Sequence, residues 1–127
     1  MLTPAAIARA TLASTLALAI ILTLGACAPT LPATDPSIRG TITSVTPASD
    51  GGSLLVEAPD TPEFEYDRAS VRVTGSTVLL RLGEGDMTER IGFGDLAAGQ
   101  TVDVWFEGPV AESYPVQASA GTLLVRE

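Results

Sequence analysis

The sequence predicts an all-β fold for residues 37–127, a small five-stranded barrel with one short helical turn. Three observations predict it. Apolar residues recur at every second position in five separate runs, the parity of that alternation slips inside three of them, and Gly, Pro and Asp clusters fill the gaps. A flat sheet keeps one parity along each strand. Slips mark bulges and bends, by which short strands turn the corners of a closed barrel.

The first run, Ile38, Gly40 and Ile42, changes phase so that Val45 takes the inward face. Asp50-Gly51-Gly52 is a turn cluster, after which Leu54, Val56 and Ala58 alternate as a second strand. Val71 and Val73 begin a third, which Gly75-Ser76 interrupts before Val78, Leu80 and Leu82 resume on the opposite parity. Asp95 to Gly99 has room for a single helical turn, with Asp95 as N-cap and Gly99 closing it in the left-handed conformation. Val102, Val104 and Phe106 make a fourth strand. Val116, Ala118 and Ala120 make a fifth, which slips near Gly121 to present Leu123 and Val125. Three strands, a short helix and two strands is the order of the OB-like barrel, a small β-sandwich being the alternative.

Residues 1–26 differ in kind. A start carrying Arg9 leads into the apolar run Ala10 to Leu24, whose fifteen residues span roughly 22 Å as a helix, short of a ~30 Å hydrocarbon core. That is the pattern of a secretory signal rather than a permanent span. The run ends in Leu24-Gly25-Ala26-Cys27, which resembles a bacterial lipobox, and Cys27 is the only cysteine. The resemblance implies cleavage before Cys27, acylation of its thiol and anchoring to a membrane on the exported side. Ala28 after the cysteine, where inner-membrane retention takes Asp, permits outer-membrane delivery in a two-membrane cell. Pro29, Pro32 and Pro36 then mark residues 27–36 as a Pro-rich tether. The 26-residue leader carries one cation, so the 127-residue chain with charge −8 leaves 101 residues with charge −9.

The seven basic residues are all Arg; there is no Lys and no His. Ser-His-Asp and Cys-His sites, lysine Schiff bases, Walker-type phosphate loops and His-ligated metals are thereby excluded. The acidic balance argues against a nucleic-acid partner. No cofactor is expected. An enzyme built on paired carboxylates finds little room for a cleft in a barrel of about 90 residues, so a non-enzymatic role is expected.

Four features are candidates for binding. Glu112-Ser113-Tyr114 precedes the last strand, in the loop that borders the usual ligand face of an OB barrel; the competing reading is that Tyr114 lies over the barrel end while Pro115 fixes the chain direction. Trp105 has outward parity and is either a stacking platform or covered by the loop Pro59 to Tyr66. Asp60, Glu63, Glu65 and Asp67 are a weak calcium candidate, since alternate positions of an extended chain put three carboxylates on one face, against the plainer reading of a solvated acidic loop. Gly83-Glu84-Gly85-Asp86 looks like a phosphate loop but lacks a following helix and carries two carboxylates, so it is set aside.

Several segments together look familiar. They are Ile38-x-Gly40-x-Ile42, Val71-x-Val73 before Thr77, Phe93-x-Asp95-Leu96-x-x-Gly99-Gln100-x-Val102-x-Val104 and Glu112-Ser113-Tyr114-Pro115-x-Gln117-Ala118-x-Ala120. In these the chain resembles a YobA-like family of small bacterial lipoproteins and secreted proteins of unassigned function. The resemblance implies an OB-like barrel and supplies no substrate. The function expected is that of a membrane-anchored envelope lipoprotein whose barrel binds an envelope protein or small ligand. The alternative is a calcium- or carbohydrate-binding module using the 60–67 stretch and exposed aromatics.

Overall fold

A computed structural model describes residues 30–126. The expected leader, residues 1–26, and Cys27 lie outside the described residues. The strands are β1 Ile38–Ala48, β2 Gly51–Glu57, β3 Arg68–Val73, β4 Val78–Leu82, β5 Thr88–Arg90, β6 Thr101–Ala111 and β7 Val116–Val125. Two single 3-10 turns, Glu84–Asp86 and Phe93–Asp95, complete the elements. Among the described residues no helix is long and apolar enough to cross a membrane.

Five strands close on themselves. β1 pairs with β2 and β6, β2 with β3, and β6 with β7, all antiparallel. The ring closes where β3 runs parallel to β7, with Ala69 opposite Val116 and Arg72 opposite Ser119. Renumbering β6 and β7 as the fourth and fifth barrel strands gives the cyclic order 1-2-3-5-4, the OB-like arrangement. The remaining strands form a flap on that barrel: β4 runs parallel to the second half of β7, and β5 pairs with β4.

The alternating residues face inward as their periodicity requires. Ile38, Ile42, Leu54, Val56, Val71, Val73, Val102, Val104, Leu123 and Val125 are fully buried in one cluster. Two expected slips are bulges at the expected residues. Ile42 pairs with Val56 and Ser44 with Leu55, which leaves Thr43 out of register. Trp105 pairs with Thr122 and Phe106 with Ala120, which leaves Gly121 out of register.

Four details differ from expectation. The third strand is divided: Thr74–Thr77 forms a turn, in which Thr77 N–H donates to the Thr74 carbonyl at 3.1 Å and Thr77 Oγ1 donates to the Ala120 carbonyl at 2.9 Å. Beyond it Leu79, not Leu80, joins the barrel core. Parity there is set by the partner strand, because Leu79 sits opposite core-facing Leu123 and Leu80 opposite Leu124. Leu80 and Leu124 are buried outside the core cluster, and Val78 and Leu82 are only half-buried.

The helical turn ends at Asp95 instead of starting there. Asp95 Oδ2 accepts the Gly92 N–H at 2.9 Å, and Leu96 is already extended at φ −85°, ψ 135°. Gly99 does close the segment at φ 97°, and its N–H donates to the Ile42 carbonyl at 2.8 Å, stitching the loop to the β1 bulge. Phe106 is half-buried rather than central, since the Gly121 bulge turns β6 there; Tyr66 packs on it with ring centroids 5.2 Å apart. The set-aside Gly83–Asp86 segment is the turn joining β4 to β5, with Gly83 N–H donating to the Met87 carbonyl at 2.6 Å.

Val104 is fully buried between β1 and β7, opposite Ile38 and Leu123. An unpaired carboxylate there costs several kcal/mol against a total stability of roughly 5–15 kcal/mol. Val104→Asp is expected to abolish the cooperative melting transition seen by circular dichroism; an unchanged transition would remove Val104 from the core.

Candidate functional site

The same alternation that buries one face of each strand puts polar side chains on the other. On β2 and β3, Ser53 lies beside Arg72 in the register, and Ser70 lies beside Leu55. β3 then carries the rows on to β7, where Arg72 meets Ser119 and Ser70 meets Gln117. The outer face at the closing seam is therefore hydroxyl, amide and guanidinium. None of these side chains is a carboxylate.

A wall rises along one side of that face. Between Glu107, paired with Ser119, and Ala111, paired with Gln117, β6 holds three residues where β7 holds one. Gly108 adopts φ 76°, a left-handed conformation that L side chains rarely take, and this lifts Pro109 and Val110 off the ladder. The result is a groove of about 450 Å³ lined by Ser53, Ser70, Arg72, Gln117, Ser119 and the segment Pro109–Ala111. Its size falls in the range of small-ligand sites, about 300–1,000 Å³.

Charge distinguishes this groove. Of six arginines among the described residues, Arg39, Arg68, Arg81 and Arg126 each have a carboxylate oxygen within 4.0 Å. Arg72 and Arg90 have none. Arg90 lines a smaller cleft of about 270 Å³ that also contains Asp50, so its surroundings are mixed in sign. The other residues that line the groove with Arg72 are neutral, and the carboxylate of Glu107 lies one strand beyond, opposite Ser119.

The residues singled out by sequence lie elsewhere, and none lines the groove. Tyr114 is 68% exposed and stands beside the start of β3. Its hydroxyl donates to Asp67 Oδ2 at 3.1 Å, and the Arg68 guanidinium stands 5.5 Å from its ring centroid. Ser113 turns inward on its own loop, its Oγ donating to the Pro115 carbonyl at 2.7 Å, while Glu112 is exposed. Trp105 is half-buried and held by the tether instead of the 59–66 loop: its Nε1–H donates to the Thr34 carbonyl at 2.8 Å. Ser37 continues that contact, its N–H donating to the Val104 carbonyl at 2.8 Å and its Oγ accepting the Phe106 N–H at 3.1 Å.

The acidic stretch is not a strand. Residues 58–67 connect β2 to β3 irregularly, so the alternation that would align Glu63, Glu65 and Asp67 does not apply. Glu63 pairs with Arg39 at 2.9 Å and Asp67 with Tyr114. Among the described residues no three acidic side chains are gathered so as to hold a metal ion.

Sequence reading missed a second polar cluster. Asp103, between Val102 and Val104, is only 2% exposed although its side chain is a carboxyl group. Arg39, directly opposite on β1, donates to it twice, at 2.6 and 3.0 Å, and Arg126 at the end of β7 donates to Oδ2 at 3.0 Å. The hydrogen bond to Asp103 holds the Arg39 guanidinium above its ordinary pKa, against the opposing effect of burial. Outward parity on three meeting strands, with opposite charges in register, was the available signal.

A family model described as a protein of unknown function, DUF3221, matches residues 50–125, more than half of the chain. The chain belongs to the DUF3221 family. No curated protein and no solved structure matches it. The DUF3221 match runs from the β1–β2 turn to the end of β7 and contains every residue that lines the groove. Thr34, Arg39 and Cys27 precede it.

Two substitutions separate scaffold from surface. Asp103→Asn leaves Arg39 and Arg126 without their shared charge; because both arginines reach solvent, the expected loss is about 2–3 kcal/mol by urea denaturation, below the usual figure for a fully buried pair. Tyr114→Ala removes little buried area and is expected to cost less than about 1 kcal/mol. A larger loss at Tyr114 than at Asp103 would invert this ranking.

Proposed function

We propose that this chain is a non-enzymatic binding module tethered to a bacterial cell envelope through acylated Cys27, with the groove on β2, β3 and β7 as its binding face. The observation that carries the binding role is Arg72, a guanidinium without a carboxylate partner, set in a groove of ligand size in an otherwise acidic chain. The position of that groove agrees with it, since OB-like barrels bind on the face of their second and third strands, beside the loop between the last two. The tethering role is supported by the leader pattern and the Leu24-Gly25-Ala26-Cys27 sequence, and accords with the resemblance to small envelope lipoproteins. A single acyl chain holds a protein marginally, whereas several on one residue hold it firmly.

The contact between Thr34 and Trp105 gives the tether a mechanical consequence. Only six residues separate Cys27 from Thr34, and six extended residues reach about 20 Å. The barrel would then stand close to the bilayer with β6 near its anchored side.

The calcium alternative loses support, because two of its four carboxylates are engaged elsewhere, Glu63 by Arg39 and Asp67 by Tyr114, and the four are not gathered as a metal site. The carbohydrate alternative keeps its ligand class but moves from the aromatics to the groove.

Mass spectrometry of protein from its own host is expected to show diacylglyceryl and acyl additions on an N-terminal Cys27 after loss of residues 1–26. Cys27→Ser should remain uncleaved and carry no acyl addition. An unmodified Cys27 in mature wild-type protein would overturn the tethering role.

A further inference from the structure

The chemistry of the groove restricts its ligand, given that it is the binding face. A guanidinium presents its N–H donors as a planar fork, which matches a carboxylate in two parallel hydrogen bonds. Arg72 is the only charged group in the lining. A phosphate carries about −1.5 to −2 charges and is ordinarily met by several cations or by the amides of a helix N-terminus; the groove has one cation and no helix. A single negative charge is what one unpaired arginine can match. Glu107, opposite Ser119 on β6, is outside the lining on the far side of that floor, and more distant acidic charge is screened beyond roughly 8 Å at physiological salt.

The remaining lining groups describe the rest of the ligand. Ser53, Ser70 and Ser119 each donate and accept, and the Gln117 amide does both from separate atoms. Such a set fits neighbouring hydroxyl groups, which also donate and accept. Pro109 and Val110 on the opposite wall offer an apolar surface for the C–H face of a ring. We propose that the groove binds a carboxylate-bearing saccharide, with Arg72 as the clamp on its carboxylate and the serine row reading its hydroxyls. This rests on the groove being the binding face, and goes beyond it in naming the ligand class.

The test uses the full chain in detergent and calorimetric titration with four probes: trigalacturonate, its methyl ester, sialyllactose and glucose 6-phosphate. At least one of the two carboxylated saccharides is expected to bind, with the esterified probe and glucose 6-phosphate at least tenfold weaker. Arg72→Gln, at an exposed position, should lower acidic-saccharide affinity at least tenfold with an unchanged melting temperature. Ser119→Trp should fill the groove and abolish binding; if it folds poorly, Gln117→Trp at an exposed position obstructs the same space. Equal binding of acid and ester, or full affinity in Arg72→Gln, overturns the carboxylate clamp while loss in the Trp variants still upholds the groove. Failure of both acidic saccharides to bind, or preference for glucose 6-phosphate, overturns the ligand class. Saccharide binding that survives both Trp variants overturns the groove itself.

Discussion

Closure of the sheet by the parallel pairing of β3 with β7 is the constraint on which the rest of this structure depends. A domain of about 90 residues cannot cover both faces of an open sheet, so it gains a core only by wrapping one face inward. Wrapping requires strong tilt and bending, and long strands bend where an extra residue is inserted. β1 does so at Thr43, β7 at Gly121 and β6 over residues 108–110. The single-residue bulges at Thr43 and Gly121 also reverse which side chains point inward, which is why the sequence pattern slips there, whereas the two extra residues of β6 leave its parity unchanged. The turn between β1 and β2 shows how tight the closure is. A Cβ on Gly51 would lie 2.1 Å from the Val73 carbonyl oxygen, so backbone, not side chain, fills that corner.

The Arg39–Asp103–Arg126 cluster answers a different need. It joins β1, β6 and the end of β7 on the outside of the barrel, where no apolar residue could specify alignment. Buried ion pairs contribute little net stability once desolvation is counted, and their better-attested effect is on register. Arg39 and Asp103 are directly opposed, so a one-residue slip between β1 and β6 would strand the carboxylate against the core. The Gly99 and Gln100 contacts with Ile42 hold the other end of the same pair of strands.

The barrel was legible in the sequence because its period is local. Ile38, Leu54, Val71, Val104 and Leu123 announce their burial by what stands two residues away, and the slips at Thr43 and Gly121 are visible as phase changes. What was not legible depended on which strand lies beside which. The inward residue of β4 is Leu79 because Leu123 is its neighbour, and nothing within residues 78–82 says so. Asp103 is buried by Arg39 and Arg126, which reach it from other strands, and nothing beside it in the sequence says so. Trp105 was correctly placed on the outward face, but its partner, Thr34, is 71 residues away in sequence. The loop aromatics and carboxylates drew attention as chemically rich residues, whereas the groove is built from serines, a glutamine and one arginine that are unremarkable singly.

That last failure has a physical cause which also connects the fold to its use. A concave face arises here from the difference between a bulged strand and a regular one. Gly108 lets β6 leave the ladder for three residues, the departing segment becomes a wall, and the regular rows of β3 and β7 become the floor. The insertion that bends β6 into the barrel is therefore also what gives the outer face its concavity. Net charge could not reveal this, because an average of −8 over the chain says nothing of a groove whose lining contains one charged residue, a cation. The other well-placed arginines are taken up in holding strands together or in covering loop aromatics. Arg72, carried on the closing strand pair, has no carboxylate partner among the described residues, a state it shares with Arg90 in the smaller cleft of mixed charge.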